Sequence, residues 1–269
     1  MIVNSYSTRP HIYGFALAAV MLTGGCATDS NSFGSGESVT VSDPTRQTNS
    51  GFLSDYSRLA TVSWKGGEGI QCWRDTDVDV NKYDKVMIPR MTVTLKPGQQ
   101  QGIDPTDLKM LTDYFHDAMA TSLKPQIAVV DEAGPGVLAV RVALTDLVPT
   151  SVSKSVTGSL VPYGFVAEAG AGAATGRPAG STPYLGETGM EMQFIDGASE
   201  KIVAECRDTE VGRKYAAELD SGAVGAAQTW ANGYVNSFQS WSYAKNALDK
   251  WAALTAMRLA ALREAAPAR

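Results

Sequence analysis

Residues 189–209 read GMEMQFID-GASE-KIVAECRDT, and this stretch decides the fold class. Met190, Met192 and Phe194 alternate with Glu191 and Gln193, the period of two that puts successive side chains on opposite faces of a strand. Gly197-Ala198-Ser199-Glu200 is a short turn of small and polar residues. Beyond it Ile202, Ala204 and Cys206 share one face of a returning strand. Two alternating runs joined so closely predict an antiparallel hairpin.

Working outward, Val137 to Val148 is a longer strand, with Leu138, Val140, Val142 and Leu144 on one face and Arg141 and Thr145 on the other. Gly134-Pro135-Gly136 is the turn before it, and Gln126 to Asp131 is a short apolar strand before that. Lys85 to Leu95 is rich in β-formers, with Pro89 marking an edge or a bulge. Between these lies a helix over 105–123. Asp104 suits its N-cap and Pro105 its first turn, and Lys124-Pro125 stops it. Leu108, Leu111, Phe115, Ala118 and Leu123 recur along it at helical spacing. A second helix starts near Ser240 and carries Ala244, Leu248, Trp251, Leu254, Leu259 and Leu262, with Trp251 as a core anchor. Residues 64–82 read as loop, and 210–238 as a Gly/Ala-rich stretch without a clear period. The expected class is α+β: an antiparallel or mixed sheet of about four to five strands, with two main amphipathic helices packed on one face.

The first 25 residues carry one formal charge, Arg9. The apolar run from Ile12 to Leu22 is shorter than the roughly 18–20 residues that span a bilayer, so it reads as a secretory signal. It ends in Leu22-Thr23-Gly24-Gly25-Cys26, which resembles the bacterial lipoprotein signal. The usual leucine stands one place early, with Thr23 three residues before the cysteine. The resemblance implies cleavage between Gly25 and Cys26 and acylation of Cys26. Because residue 27 is Ala and not Asp, it also implies the periplasmic side of the outer membrane. Acyl chains stabilise the bound state by ~0.8 kcal/mol per buried methylene and hold a protein without a spanning helix. Ten of residues 27–50 are Ser or Thr and few are apolar, which predicts a flexible tether with a reach of roughly 25–30 Å. The expected organisation is a signal over 1–25, a lipidated tether over 26–50 and a single globular domain over 51–269.

Cleavage leaves 22 basic and 28 acidic side chains, a net of −6, which argues against nucleic acid as a partner. Cys72 and Cys206 are a disulfide candidate in an oxidising compartment; the other reading is two unpaired thiols, one buried on a strand. Asp75, Asp77 and Asp79 alternate, but Val80 and Val86 stand where a calcium loop needs Gly and Glu. His116 is the one histidine of the mature chain, too few for a histidine metal site, and no Gly-x-Ser-x-Gly elbow accompanies it. Gly170-Ala171-Gly172 lacks the preceding strand of a nucleotide loop. Residues 157–182, with Gly172, Gly176 and Gly180 spaced by four, read as a long loop in preference to a small-residue helix face. Glu187 and Glu191 share a face and read as solvent-facing as readily as catalytic. No catalytic residue, cofactor or metal ligand is assigned.

Gly51-Phe52-Leu53-Ser54-Asp55-Tyr56-Ser57-Arg58-Leu59 after such a tether resembles a family of bacterial envelope lipoproteins known as domain of unknown function DUF3313. The run from Tyr83 to Val93, the stretch from Gly134 to Asp146, the strand from Gly186 to Glu191, and Trp251-Ala252 agree with it. The likeness covers most of 51–262 and lends no catalytic residue. It implies an anchored envelope protein without an assigned activity. The expected function is a non-catalytic outer-membrane lipoprotein, held by N-terminal acyl chains, that binds another envelope protein or the cell wall. The alternative is a carboxylate-dependent periplasmic hydrolase of cell-wall glycan or lipid, marked by two facing acids in a cleft. A third reading is an oligomer built through the glycine-rich segment.

Overall fold

The structure is a computed structural model that describes residues 39–96, 98–99, 102–154, 171–178, 180–213 and 240–265. In chain order the strands are β1 (Thr40–Ser42), β2 (Ala60–Thr61), β3 (Gln71–Arg74), β4 (Lys85–Met87) and β5 (Thr92–Val93). They continue with β6 (Ala128–Val130), β7 (Val137–Val148), β8 (Glu187–Asp196) and β9 (Ile202–Gly212). Among the described residues the two long helices are α1 (Pro105–Leu123) and α2 (Ser242–Ala265).

Among the described residues all nine strands join one mixed sheet, with the main order β2-β3-β9-β8-β7-β4-β6. The hairpin β8–β9 and its antiparallel neighbour β7 are the centre. Each outer edge of this centre serves two short segments. β3 and β1 both pair antiparallel with β9, and β4 and β5 both pair parallel with β7. Pro89 lies in the gap between β4 and β5, where a ladder hydrogen bond is missing in any case. The hairpin turn is closed by Asp196, which accepts from the backbone N–H of Ser199 at 2.9 Å and of Ala198 at 3.1 Å, with Glu200 left-handed at φ 58°.

The expected sheet of four to five strands is therefore too small. β2 and β5 are two residues long and β1 is three, lengths from which no period can be read. β3 sits inside the stretch expected to be loop. Order also starts before Gly51, inside the expected tether. Val39 packs against Leu185 and Tyr243, its carbonyl accepts from Arg213 N–H at 2.7 Å, and Asp43 N–H donates to Thr209 O at 2.8 Å. A sheet edge supplies these backbone partners whatever the side chains are, so a Ser/Thr-rich segment can be ordered without burying much apolar surface.

The core lies between one sheet face and the two helices. Leu111, Phe115, Met119 and Leu123 from α1 meet Ala244, Leu248 and Trp251 from α2 over Val140, Val142, Met190 and Met192. Asp104 caps α1 by accepting from Thr106 N–H at 2.7 Å. Arg263 ties the end of α2 to the sheet side by donating to Gln126 O at 2.8 Å and Tyr83 O at 2.7 Å. The β7–β8 register shifts between Leu144 and Asp146. Gly189 lies opposite this bulge, where a Cβ would come within 2.8 Å of the Asp146 Cβ and the Thr145 Oγ1, so only glycine lets the strands close up.

Of the glycine-rich stretch 157–182, residues 157–170 and 179 are outside the described residues. Residues 171–174 form one helical turn where a loop is expected, and Gly172 lies so close to the Ser181 carbonyl oxygen that a Cβ would fall at 2.1 Å.

Candidate functional site

A cavity of about 350 Å³ opens between the helical face of the sheet and α2. Its floor is Val86, Leu138, Val140, Met190 and Met192, all buried. Trp251, Leu254, Thr255 and Leu259 of α2 form one wall, and residues 60–64 together with Val78 form the other. The lining is apolar because the residues alternating inward on β7 and β8 are aliphatic, Met or Phe, and Met adapts its shape to irregular space. Two cations stand in the lining, Arg74 at the end of β3 and Arg258 on α2. Arg258 lies over the Trp64 ring, 5.8 Å from its centroid. Burial first, and then the like charge of Arg74, hold Arg258 below the ordinary arginine value. One carboxylate, Asp75, also lines the space, and Lys201 pairs with it at 2.7 Å.

Sequence reading missed both arginines. The signal for one was present: Arg258 is seven residues after Trp251 and four before Leu262, on the apolar stripe of α2. A charge in a stripe that faces the core needs a reason.

Behind this wall, Asp208 of β9 is buried against α2 and accepts from Trp251 Nε1 at 2.8 Å and from the Ser42 hydroxyl. Burial, then the charge of Glu210, push its pKa from 3.8 to about 7, against the pull of those two donors. Glu210 pairs with Lys250 at 2.5 Å.

The opposite sheet face corrects the reading of Glu187 and Glu191. Neither faces solvent: their exposures are 2% and 0%. The 51–59 stretch and the residues before it lie over them. Glu191 accepts from Ser50 N–H at 3.0 Å and Tyr56 Oη at 2.8 Å. Glu205, its neighbour on β9, accepts from Ser54 N–H at 2.6 Å, Arg58 at 2.9 Å and Gln193 at 2.9 Å. Burial opposes the Glu205 charge, but these donors outweigh it and hold its pKa low. Glu187 pairs with Arg46 at 2.6 Å and Arg177 at 3.4 Å, while Asp146 is held by Lys96 and Gln99. Burial and then the Asp146 charge raise the Glu187 pKa. The polar face is thus a layer of carboxylates clasped by donors from the N-terminal segment, which is why Ser, Tyr and Arg recur there.

The remaining sequence-derived sites are placed as follows. Gly25 and Cys26 lie outside the described residues. Cys72 and Cys206 face each other across β3 and β9 and are joined as a disulfide, Cα to Cα 4.1 Å. Asp75 pairs with Lys201, and Asp79 caps the turn at Val80–Lys82. Among the described residues no group of three or more His, Cys, Asp or Glu side chains is placed to hold a metal ion. His116 is half-buried on α1, with no hydrogen-bond partner at Nδ1.

One relative is itself a lipoprotein of uncharacterised role. The uncharacterised lipoprotein YdcL of Escherichia coli K12 is 29% identical over 154 residues, which is 57% of this chain and 67% of that protein. Among solved structures, the PelC dodecamer of Paraburkholderia phytofirmans covers 64% of this chain and 98% of its own, at 9% identity and a TM-score of 0.29. Protein XCC0632 of Xanthomonas campestris covers 66% and 88%, at 11% identity and a TM-score of 0.28. Likenesses this slight carry neither fold nor function across. The family of proteins of unknown function DUF3313 matches residues 48–234, well over half of the sequence and including the clasp, the hairpin and the cavity floor, and the chain belongs to that family.

Proposed function

We propose that this protein is a lipid-anchored, non-catalytic binding protein of the bacterial outer membrane, facing the periplasm, whose cavity receives an apolar part of another envelope component. The observation that carries the reading is the apolar cavity of about 350 Å³ beside α2, within the range of roughly 300–1,000 Å³ typical of small-ligand sites. The anchor rests on the Cys26 signal and on the lipoprotein relative.

The hydrolase alternative has less support. Asp146 and Glu187 do influence each other, and burial raises Glu187. Both are about 2% exposed, and both are committed to cationic or amide partners within the chain. A general acid needs room for its substrate.

The binding test is photo-crosslinking in intact cells from p-benzoylphenylalanine placed at Val62 or Leu262 in the cavity lining, or at exposed Lys109 on α1. Adducts with an envelope component are expected from the first two and not from the third. No adduct, or equal yields from all three, overturns the reading. The anchor is tested separately. Cys26→Ser is expected to abolish acylation, leaving the protein either free of the membrane fraction or as an uncleaved precursor. Acylated, membrane-bound Cys26→Ser protein would refute it.

A further inference from the structure

The cavity is apolar, yet its lining holds two arginines, Arg74 and Arg258. Among the described residues neither Arg74 nor Arg258 has a carboxylate within ion-pair reach. Arg74 donates to the Asp75 backbone carbonyl at 3.4 Å, and Arg258 rests on the Trp64 ring. The Asp75 side chain pairs with Lys201 and feels the Arg74 charge only weakly, so two guanidiniums against one carboxylate leave the lining an excess of positive charge. Two half-buried guanidiniums beside an aliphatic pocket are costly without an anion, because each has given up part of its hydration. The volume suits one alkyl chain.

We propose that the cavity binds a long-chain fatty acid, with the alkyl chain over Met190 and Met192 and the carboxylate held by Arg74 and Arg258. This rests on the reading of the cavity as a binding site and names its ligand. Guanidinium and carboxylate match geometrically, since the planar fork donates two parallel hydrogen bonds to the two oxygens. The chain is drawn in by burial of apolar surface, which favours longer chains until the cavity is full.

The test uses isolated membranes carrying the full chain, at mildly alkaline pH so that the acid is ionised. Hexadecanoate, hexadecanol and hexadecyl phosphate, each with a diazirine near the chain end, are activated by light, and the labelled peptides are mapped. The expected result is labelling of residues 60–64 and 251–262 by the acid, roughly tenfold or more above the alcohol at equal membrane content. Arg74→Gln with Arg258→Gln should bring the acid down to the level of the alcohol and leave alcohol labelling unchanged. If that variant fails to fold, the comparison of acid with alcohol in the unaltered protein still decides. Equal labelling by acid and alcohol overturns the anionic-head assignment while the cavity reading stands. Stronger labelling by the phosphate overturns the carboxylate. Labelling of the cavity by none of the three overturns the fatty-acid proposal, and the cavity reading then stands or falls on the crosslinks from Val62 and Leu262.

Discussion

Trp251→Ala is expected to lower the stability of the domain by about 4 kcal/mol, read from the urea midpoint at constant slope. The indole is 1% exposed and joins α2 to the sheet face over Met190 and Met192. Truncation removes its apolar area, enlarges a space that is already a cavity, and takes one of its donors from the buried Asp208 carboxylate, which keeps the Ser42 hydroxyl. A typical domain has only about 5–15 kcal/mol to lose, so this single change takes a large share. Trp251→Phe separates the contributions. It keeps most of the ring and loses the donor, for an expected cost of about 1–3 kcal/mol. Its pH dependence has a definite sign. Asp208 has a folded pKa already raised from 3.8 to about 7, so its contribution is fully present below pH 3.8 and declines as pH rises through 7. Loss of the Trp251 donor withdraws support from the charged form and raises that pKa further. Trp251→Phe should therefore be costlier at pH 8 than at pH 5. An equal cost at both would show that the hydrogen bond does not bias Asp208 ionisation.

The centre of this fold is legible in the sequence because its signals are long. The alternation from Met190 to Cys206 spans both strands of the hairpin, and the stripe from Leu111 to Leu123 spans α1. The edges are not legible, because β1, β2 and β5 are too short to show a period and are held by backbone partners that β9, β3 and β7 supply in turn. The polar face misleads for a different reason. Glu191, Gln193 and Glu205 alternate as solvent-facing residues would, and nothing local reveals that Ser50, Ser54, Tyr56 and Arg58 fold over them. The site is only half legible. The sequence marks Trp251 as a core anchor and puts Met190 and Met192 on one strand face, but whether facing side chains leave a space is a property of three dimensions. Arg258 on an apolar stripe is the one residue whose position in the sequence asks for a partner.

Removing the Cys72–Cys206 bridge is expected to have an effect of similar size by another route. The bridge closes a sequence separation of 134, for which chain-entropy reasoning gives about 5 kcal/mol as an upper figure, and native bridges commonly contribute about 2–5 kcal/mol. Cys72→Ala with Cys206→Ala should then lower the melting temperature by roughly 5–15 °C. The loss should not be confined to stability. β3 is four residues long, β2 beyond it is two, and both half-buried cysteines line the cavity. With the bridge cut, the wall carrying residues 60–64 and Arg74 is held to β9 by a short ladder and by the Arg58 contacts to Trp73 and Glu205. Amide exchange in β2 and β3 should rise well above that in β7 and β8, because edge segments with few partners open locally before the domain unfolds. Photo-crosslinking from Val62 should fall in the same variant, while α1 keeps its native exchange. Unchanged exchange across β2–β3 would mean that strand pairing alone fixes the wall, and the bridge would then act only on the unfolded chain.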